Sequence, residues 1–221
     1  DVPSTVFMAL LCLFFSQKGR RLFSLLETTR IYNGKTMSND LEISSKKLHI
    51  IRTAIGLFTT YGFHTAGVDL IAKQCEVPKA TLYNYFRSKE GLIEMCIAFQ
   101  KSLLKEEVLA IIYSSHYRTP TDKLKEIVVL HVNYSSLYHL FLKAFFEIKV
   151  TYPQAYRMAI EYRKWLTREL FDLVFSLETR DLRPSADMVL NLIDGLMFEF
   201  LSTNNLDERD KVVERFFMSV V

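Results

Sequence analysis

Lys79, Thr81, Tyr83, Asn84, Tyr85 and Lys89 crowd into the stretch VPKATLYNYFRSKEGL, residues 77 to 92. Ammonium groups, hydroxyls and a carboxamide on one short helix are the groups that bond phosphate oxygens and the edges of bases. Leu82 and Phe86, four residues apart, supply an inward stripe that would hold such a helix on a scaffold. Lys79, Ala80, Tyr83 and Asn84 are then left to face outward. In a major groove about 12 Å wide, Lys79 would donate to guanine acceptors and Ala80 would touch a thymine methyl. Thr81, Tyr83 and Tyr85 offer hydroxyls to phosphates, and Lys79 and Lys89 add charge. The competing reading is a plain surface helix with half-buried tyrosines and solvated lysines.

Other chemistries find little support. The five histidines show no HExxH or paired-ligand pattern, and no glycine-rich phosphate loop or nucleophile–base arrangement is recognisable. No metal, no cofactor and no enzymatic activity are therefore expected. Cys12, Cys75 and Cys96 are an odd number without ligand spacing, which reads as free thiols in a reducing, cytoplasmic setting. A helical interaction protein without DNA binding remains a rival of a different class.

Seven glycines and five prolines are few for a turn-rich β or doubly wound fold, and the aromatic residues fall in runs with helical spacing. An all-α protein follows. A helix starts at Ser44 or Ser45 and carries Leu48, Ile51, Ile55, Phe58 and Tyr61 on one face until Gly62. Thr65 is placed to cap a short helix of residues 67 to 74, in which Val68, Ile71 and Ala72 point inward. Glu76 and Val77 turn the chain into the helix of residues 79 to 85. Ser88 caps the next helix, with Glu90 favourable in its first turn. Two short helices joined by a four-residue turn and propped by a third make the helix-turn-helix layout, whose second helix enters a major groove. Beyond the break SSHYRTP, helices are expected over 123–138, 139–150, 153–176 and 184–203, with one more at the C-terminus.

The net charge of +3 is confined to residues 1 to 36, which hold five basic side chains against Asp1 and Glu27. Within the remainder, residues 37 to 92 are slightly basic and residues 93 to 221 slightly acidic, which suits a nucleic-acid contact restricted to the head. The apolar run TVFMALLCLFF is far shorter than the roughly 20 residues that span a bilayer, and no basic segment precedes it. No membrane association is expected. Residues 1–43 read as an N-terminal extension, upstream of the true start or weakly ordered, before a head of residues 44–92 and a body of residues 93–221.

The stretch IIRTAIGLFTTYGFHTAGVDLIAKQCEVPKATLYNYFRSKEGLI, residues 50 to 93, resembles the DNA-binding domain of the TetR family of bacterial transcriptional regulators. The likeness rests on Ala54, Leu57, Phe58, Gly62 and Phe63, then Thr65, Val68, Ile71 and Ala72. It continues through Val77, Thr81, Leu82, Tyr83, Tyr85 and Phe86 to Ser88, Lys89, Glu90 and Leu92. It implies phosphate contacts from Thr65, Thr81, Tyr83, Tyr85 and Lys89, and base contacts near Lys79, Ala80 and Asn84. Where family members usually carry Ser, this chain has Pro78, which offers no hydroxyl.

The resemblance also implies a C-terminal helical domain that dimerises and binds a small-molecule effector. Repression from a double-stranded DNA operator is the commoner family behaviour. Dimerisation has physical support of its own, because a two-fold pair presents two recognition helices about 34 Å apart. The best seam candidates are Trp165, Leu166, Leu170 and Leu173 on one helix, and Val189, Ile193, Leu196, Met197 and Phe200 on another. The alternative is that these faces fill the subunit's own core. Gly195, costly in a helix, suits a close helix approach there. For a pocket, His131, Tyr134, Tyr138, Glu147, Tyr162 and Trp165 combine aromatic surface with a few orienting polar groups. The same residues also fit a hydrogen-bonded core. A regulator without an effector is the nearest alternative.

Overall fold

A computed structural model of the chain describes residues 45–132, 137–177, 185–203 and 206–220. The expectation for residues 1–43, Cys12 included, lies outside them. The described elements are all helices, in the order α1 (Ser45–Tyr61), α2 (Val68–Gln74), α3 (Lys79–Phe86), α4 (Lys89–Ile112), α5 (Pro120–His131), α6 (His139–Glu147), α7 (Pro153–Phe175), α8 (Ala186–Thr203) and α9 (Leu206–Val220).

Apolar spacing places α1, which buries Ile50, Ile51, Ala54, Ile55 and Phe58. Gly62 stops it at φ +85°, a left-handed conformation that a side chain strains. Its amide closes on the Phe58 carbonyl at 2.9 Å. Phe63 then folds back to stack on Phe58 with ring centroids 5.1 Å apart. Cys96 of α4 donates its thiol to the Ile51 carbonyl at 3.7 Å and pins α4 against α1.

The body is built around α7, which packs against α4, α5, α6 and α8, while α9 covers α5 and α8. One apolar core runs continuously from Ile50 in α1 to Phe217 in α9. Thr119 caps α5 by accepting from the Asp122 amide at 3.1 Å, and the Asp122 carboxylate accepts from the Thr119 amide at 3.1 Å. This capping box, with Pro120 in the first turn, starts α5 three residues before the expected 123. The helix ends at His131 rather than near Tyr138.

The expected dimer seam needs correction. Leu166, Leu170, Leu173, Val189, Ile193, Leu196 and Met197 are all buried inside the single chain. They are the inward stripe by which α7 and α8 fill their own subunit, so they are closed to a second copy. Trp165 is half-buried and lies under the Lys105 ammonium, 4.7 Å from the ring centroid. The Phe200 side chain lies outside what is described. The opposite faces of the same helices leave Phe171, Phe175, Met188 and Phe198 exposed. Gly195 shares that outer face, where an added Cβ would meet nothing within 4 Å.

Candidate nucleic-acid interface

The chain stops and restarts around α3 by backbone means. Glu76, at φ +54°, turns the link from α2, and Pro78 occupies the cap of α3 in extended conformation without a side-chain bond. Leu82 and Phe86 are buried and hold α3 on the head. Arg87, at φ +63°, ends it with its amide on the Tyr83 carbonyl at 2.8 Å. Ser88 then caps α4, its hydroxyl accepting from the Gly91 amide at 3.0 Å.

Every sequence-predicted contact residue of the head is accessible. Lys79, Ala80, Tyr83, Asn84 and Thr65 are exposed, and Thr81, Tyr85 and Lys89 are half-buried. Two of them are nevertheless less free than their types suggest. Lys79 is ion-paired with Asp69 of α2. Lys89 donates to the His64 carbonyl at 3.3 Å, and partial burial pulls its ammonium below the ordinary lysine value. Thr65 does not cap α2. Gly67 holds that position with no side-chain bond, while the Thr65 carbonyl accepts from the Gly67 amide at 2.9 Å.

The head is tied to the body at one point that sequence reasoning placed elsewhere. Glu147 ends α6, and its Oε2 accepts from the Phe63 amide at 2.7 Å. Its carbonyl is 2.9 Å from Nε2 of His64, whose ring also stacks on Tyr152 with centroids 6.0 Å apart. Gly62 permits the approach, because a Cβ there would lie 2.8 Å from Glu147 Oε2.

Of the other pocket candidates, His131, Tyr138 and Tyr162 meet inside the body, fully buried. Trp165 borders them, 5.6 Å from Tyr162 between ring centroids, while Glu147 lies at the far end of α6 and Tyr134 lies outside the described residues. His131 Nδ1 is 2.6 Å from the Ile127 carbonyl, which must accept, so in the neutral ring Nε2 accepts from the Tyr162 hydroxyl at 2.7 Å. Burial pushes the His131 imidazole down to about 4, which agrees with that neutral form. Tyr138 donates to Asp194 at 3.0 Å and accepts from Arg163 at 3.1 Å, and Arg163 and Asp194 close the triangle at 2.5 Å. Burial raises both tyrosines above the ordinary phenol value. Two buried polar atoms of the body lack a hydrogen-bond partner, Gln100 Oε1 on α4 and Nε2 of His139, the residue after Tyr138, on α6. A surface groove of about 580 Å³ opens elsewhere, between α5 and α9 beside Tyr117, Glu126 and Glu214, and does not reach this network.

Sequence reasoning missed Arg163, Asp194 and Gln100. The signal for Asp194 was available, since it is the lone charge within VLNLIDGLMF, residues 189 to 198. A charge inside an apolar stripe needs a partner.

A short braced helix laid across a second, with phosphate-bonding groups outward, defines a helix-turn-helix head. The comparisons with known proteins agree with it. Residues 50–96 match the family model for bacterial regulatory proteins of the tetR family. UidR, an HTH-type transcriptional regulator of Escherichia coli K12, is 38% identical over 56 residues, covering 25% of this chain and 29% of UidR. The match thus spans under a third of that relative's length. BetI of Pectobacterium carotovorum, also an HTH-type transcriptional regulator, is 23% identical over 76% of this chain and 88% of BetI. Among solved structures, SCO4454, a TetR-family transcriptional regulator from Streptomyces coelicolor, shares the fold with a TM-score of 0.63. It is 21% identical and covers 79% of this chain and 92% of its own.

Proposed function

We propose that the protein is a DNA-binding transcriptional regulator that represses from a two-fold symmetric operator as a homodimer and is released by a small, largely hydrophobic effector. The observation that carries this reading is α3 itself, seated by buried Leu82 and Phe86 with Lys79, Ala80, Tyr83 and Asn84 turned outward. Thr65, Thr81, Tyr83, Tyr85 and Lys89 take phosphates. Lys79, Ala80 and Asn84 meet base edges. The head of residues 44–92 reads DNA and the body of residues 93–221 regulates it.

The dimer forms through the outer faces of α7 and α8, where Phe171, Phe175, Met188 and Phe198 flank Gly195. An exposed apolar stripe with a glycine at its centre lets two helices approach closely. The effector meets the body near the network of His131, Tyr138 and Tyr162, beside which His139, the residue after Tyr138, holds an Nε2 that lacks a partner. It acts by binding the operator-spaced and unspaced dimers unequally. A regulator without an effector is favoured by one observation. The Tyr138, Phe141 and Tyr162 rings pack on each other with centroids 5.0 to 6.2 Å apart and fill the space themselves.

Selection of duplex sites from a random pool tests the reading. A motif with two-fold symmetry is the expected result. A protein that ignores duplex DNA of every sequence at low salt overturns it. A thermal-shift screen of small hydrophobic compounds then separates the two readings of the body.

A further inference from the structure

Asp69 stands where a DNA-reading head would be expected to avoid a carboxylate. It is the second residue of α2, with 74% of its side chain exposed, and it holds Lys79, the first residue of α3, whose side chain is 58% exposed. The carboxylate does not cap α2, since Gly67 holds the cap with no side-chain bond, and its place in the first turn favours the helix dipole by no more than about 1 kcal/mol. As a stabilising contact, so exposed a pair is worth at most about 1 kcal/mol. Its consequence is larger for anything that approaches the start of α3.

We propose that Asp69 is a specificity-determining residue of the head, which pairs with Lys79 to read one C·G base pair in each half-site. The proposal rests on the DNA-binding reading above. Phosphates repel a carboxylate, so the favourable partners for Asp69 are amino donors on base edges, of which cytosine N4 is the usual one for an acidic side chain. Lys79, held beside a negative charge, gains less from phosphates and keeps its donors for guanine O6 and N7. A C·G pair presents that cytosine donor and those guanine acceptors side by side in the major groove. Where the nearby base is guanine or thymine the carboxylate faces acceptors and is left unpaired, and adenine N6 is the one other base donor open to it. Asp69 therefore works mainly by penalising wrong sequences.

The test uses the full chain as parent, Asp69→Asn and Asp69→Ala, since both changes are at an exposed side chain. Sites are selected from a random duplex pool, and affinities for the selected and for a scrambled duplex are measured by anisotropy across a salt series. Both variants should bind scrambled duplex several-fold tighter, with a salt slope steeper by about one ion. Their preference for the selected site should fall about tenfold, and the C·G position should become degenerate. An unchanged motif, preference ratio and salt slope would overturn the proposal and leave Asp69 as a surface ion pair. So would a parent motif with no C·G pair in its half-sites. A parent that binds no duplex fails earlier, at the DNA-binding reading, and this proposal falls with it.

Discussion

Replacing Glu147 by Ala should loosen the joint between head and body by an amount the geometry sets. The substitution removes the acceptor of the Phe63 amide, a charge-assisted bond of 2.7 Å. It spares the bond from His64, which goes to the Glu147 backbone carbonyl. The contact with Lys143, at 3.8 Å between partly exposed groups, adds little. Hydrogen bonds to charged groups contribute about 1.5 to 3 kcal/mol. Because 28% of the Glu147 side chain is open to solvent, water can re-solvate the amide, and the lower end of that range, about 1.5 kcal/mol, applies. For a chain of this size that is a fall in Tm of about 3 to 6 °C, read by circular dichroism. Glu147→Gln keeps an acceptor oxygen and should lose about half as much. Gly62→Ala in the parent suffers both its positive φ and the 2.8 Å approach to Glu147 Oε2. In the Glu147→Ala background only the φ strain remains, so the two substitutions should couple by about 1 kcal/mol. Strict additivity, or an unaltered Tm in Glu147→Ala, would refute the joint.

Three further outcomes are expected. Tyr83→Phe should weaken binding to selected and scrambled duplex alike, by severalfold in an anisotropy titration, because a phosphate contact carries no sequence information; a loss confined to the selected site would contradict that role. Phe198→Glu should convert the dimer to monomer in analytical ultracentrifugation while leaving the helical signal intact, since the side chain is 67% exposed in the single chain; an unchanged sedimentation coefficient would move the seam elsewhere. Burial holds both His131 and His139 near 4, helped at His139 by the charge of Lys143, while their unfolded values are near 6.5. Between those values the unfolded chain binds more protons, so their contribution is complete above about pH 7 and is lost as pH falls toward 4. The loss is on the order of 2 kcal/mol each at pH 5. An NMR titration should find neither ring protonating between pH 8 and 5, and an ordinary titration near 6.5 would discredit their burial.

Local rules made much of the head legible. Apolar spacing gave α1, the Leu82–Phe86 pair gave the seat of α3, and Ser88 announced the start of α4. Those features depend on neighbours a few residues away. Thr65 was misplaced as a cap because a hydroxyl before a helix looks like one whether or not the backbone turns at the next glycine. The body was harder for a related reason. Leu166, Leu170, Val189 and Ile193 are an unmistakable apolar stripe, yet a stripe does not say whether its partner belongs to the same chain. The outer stripe of Phe171, Phe175, Met188 and Phe198 is interrupted by charges, which hides its apolar spacing. Glu147 and Asp69 depend on residues brought near by the fold, the first across 84 positions of sequence, and nothing local marks either.

The length of α4 has a mechanical meaning. Its 24 residues form one unbroken rod about 36 Å long, seated in the head at one end and deep in the body at the other. Pivoting that rod by about 5° at its far end swings its near end through about 3 Å, close to the 3.4 Å rise of one base pair. Two such rods in a dimer would double the misfit. In the dimer proposed above, a rearrangement too small to disturb the core of either part would thus put the two α3 helices out of step with the duplex.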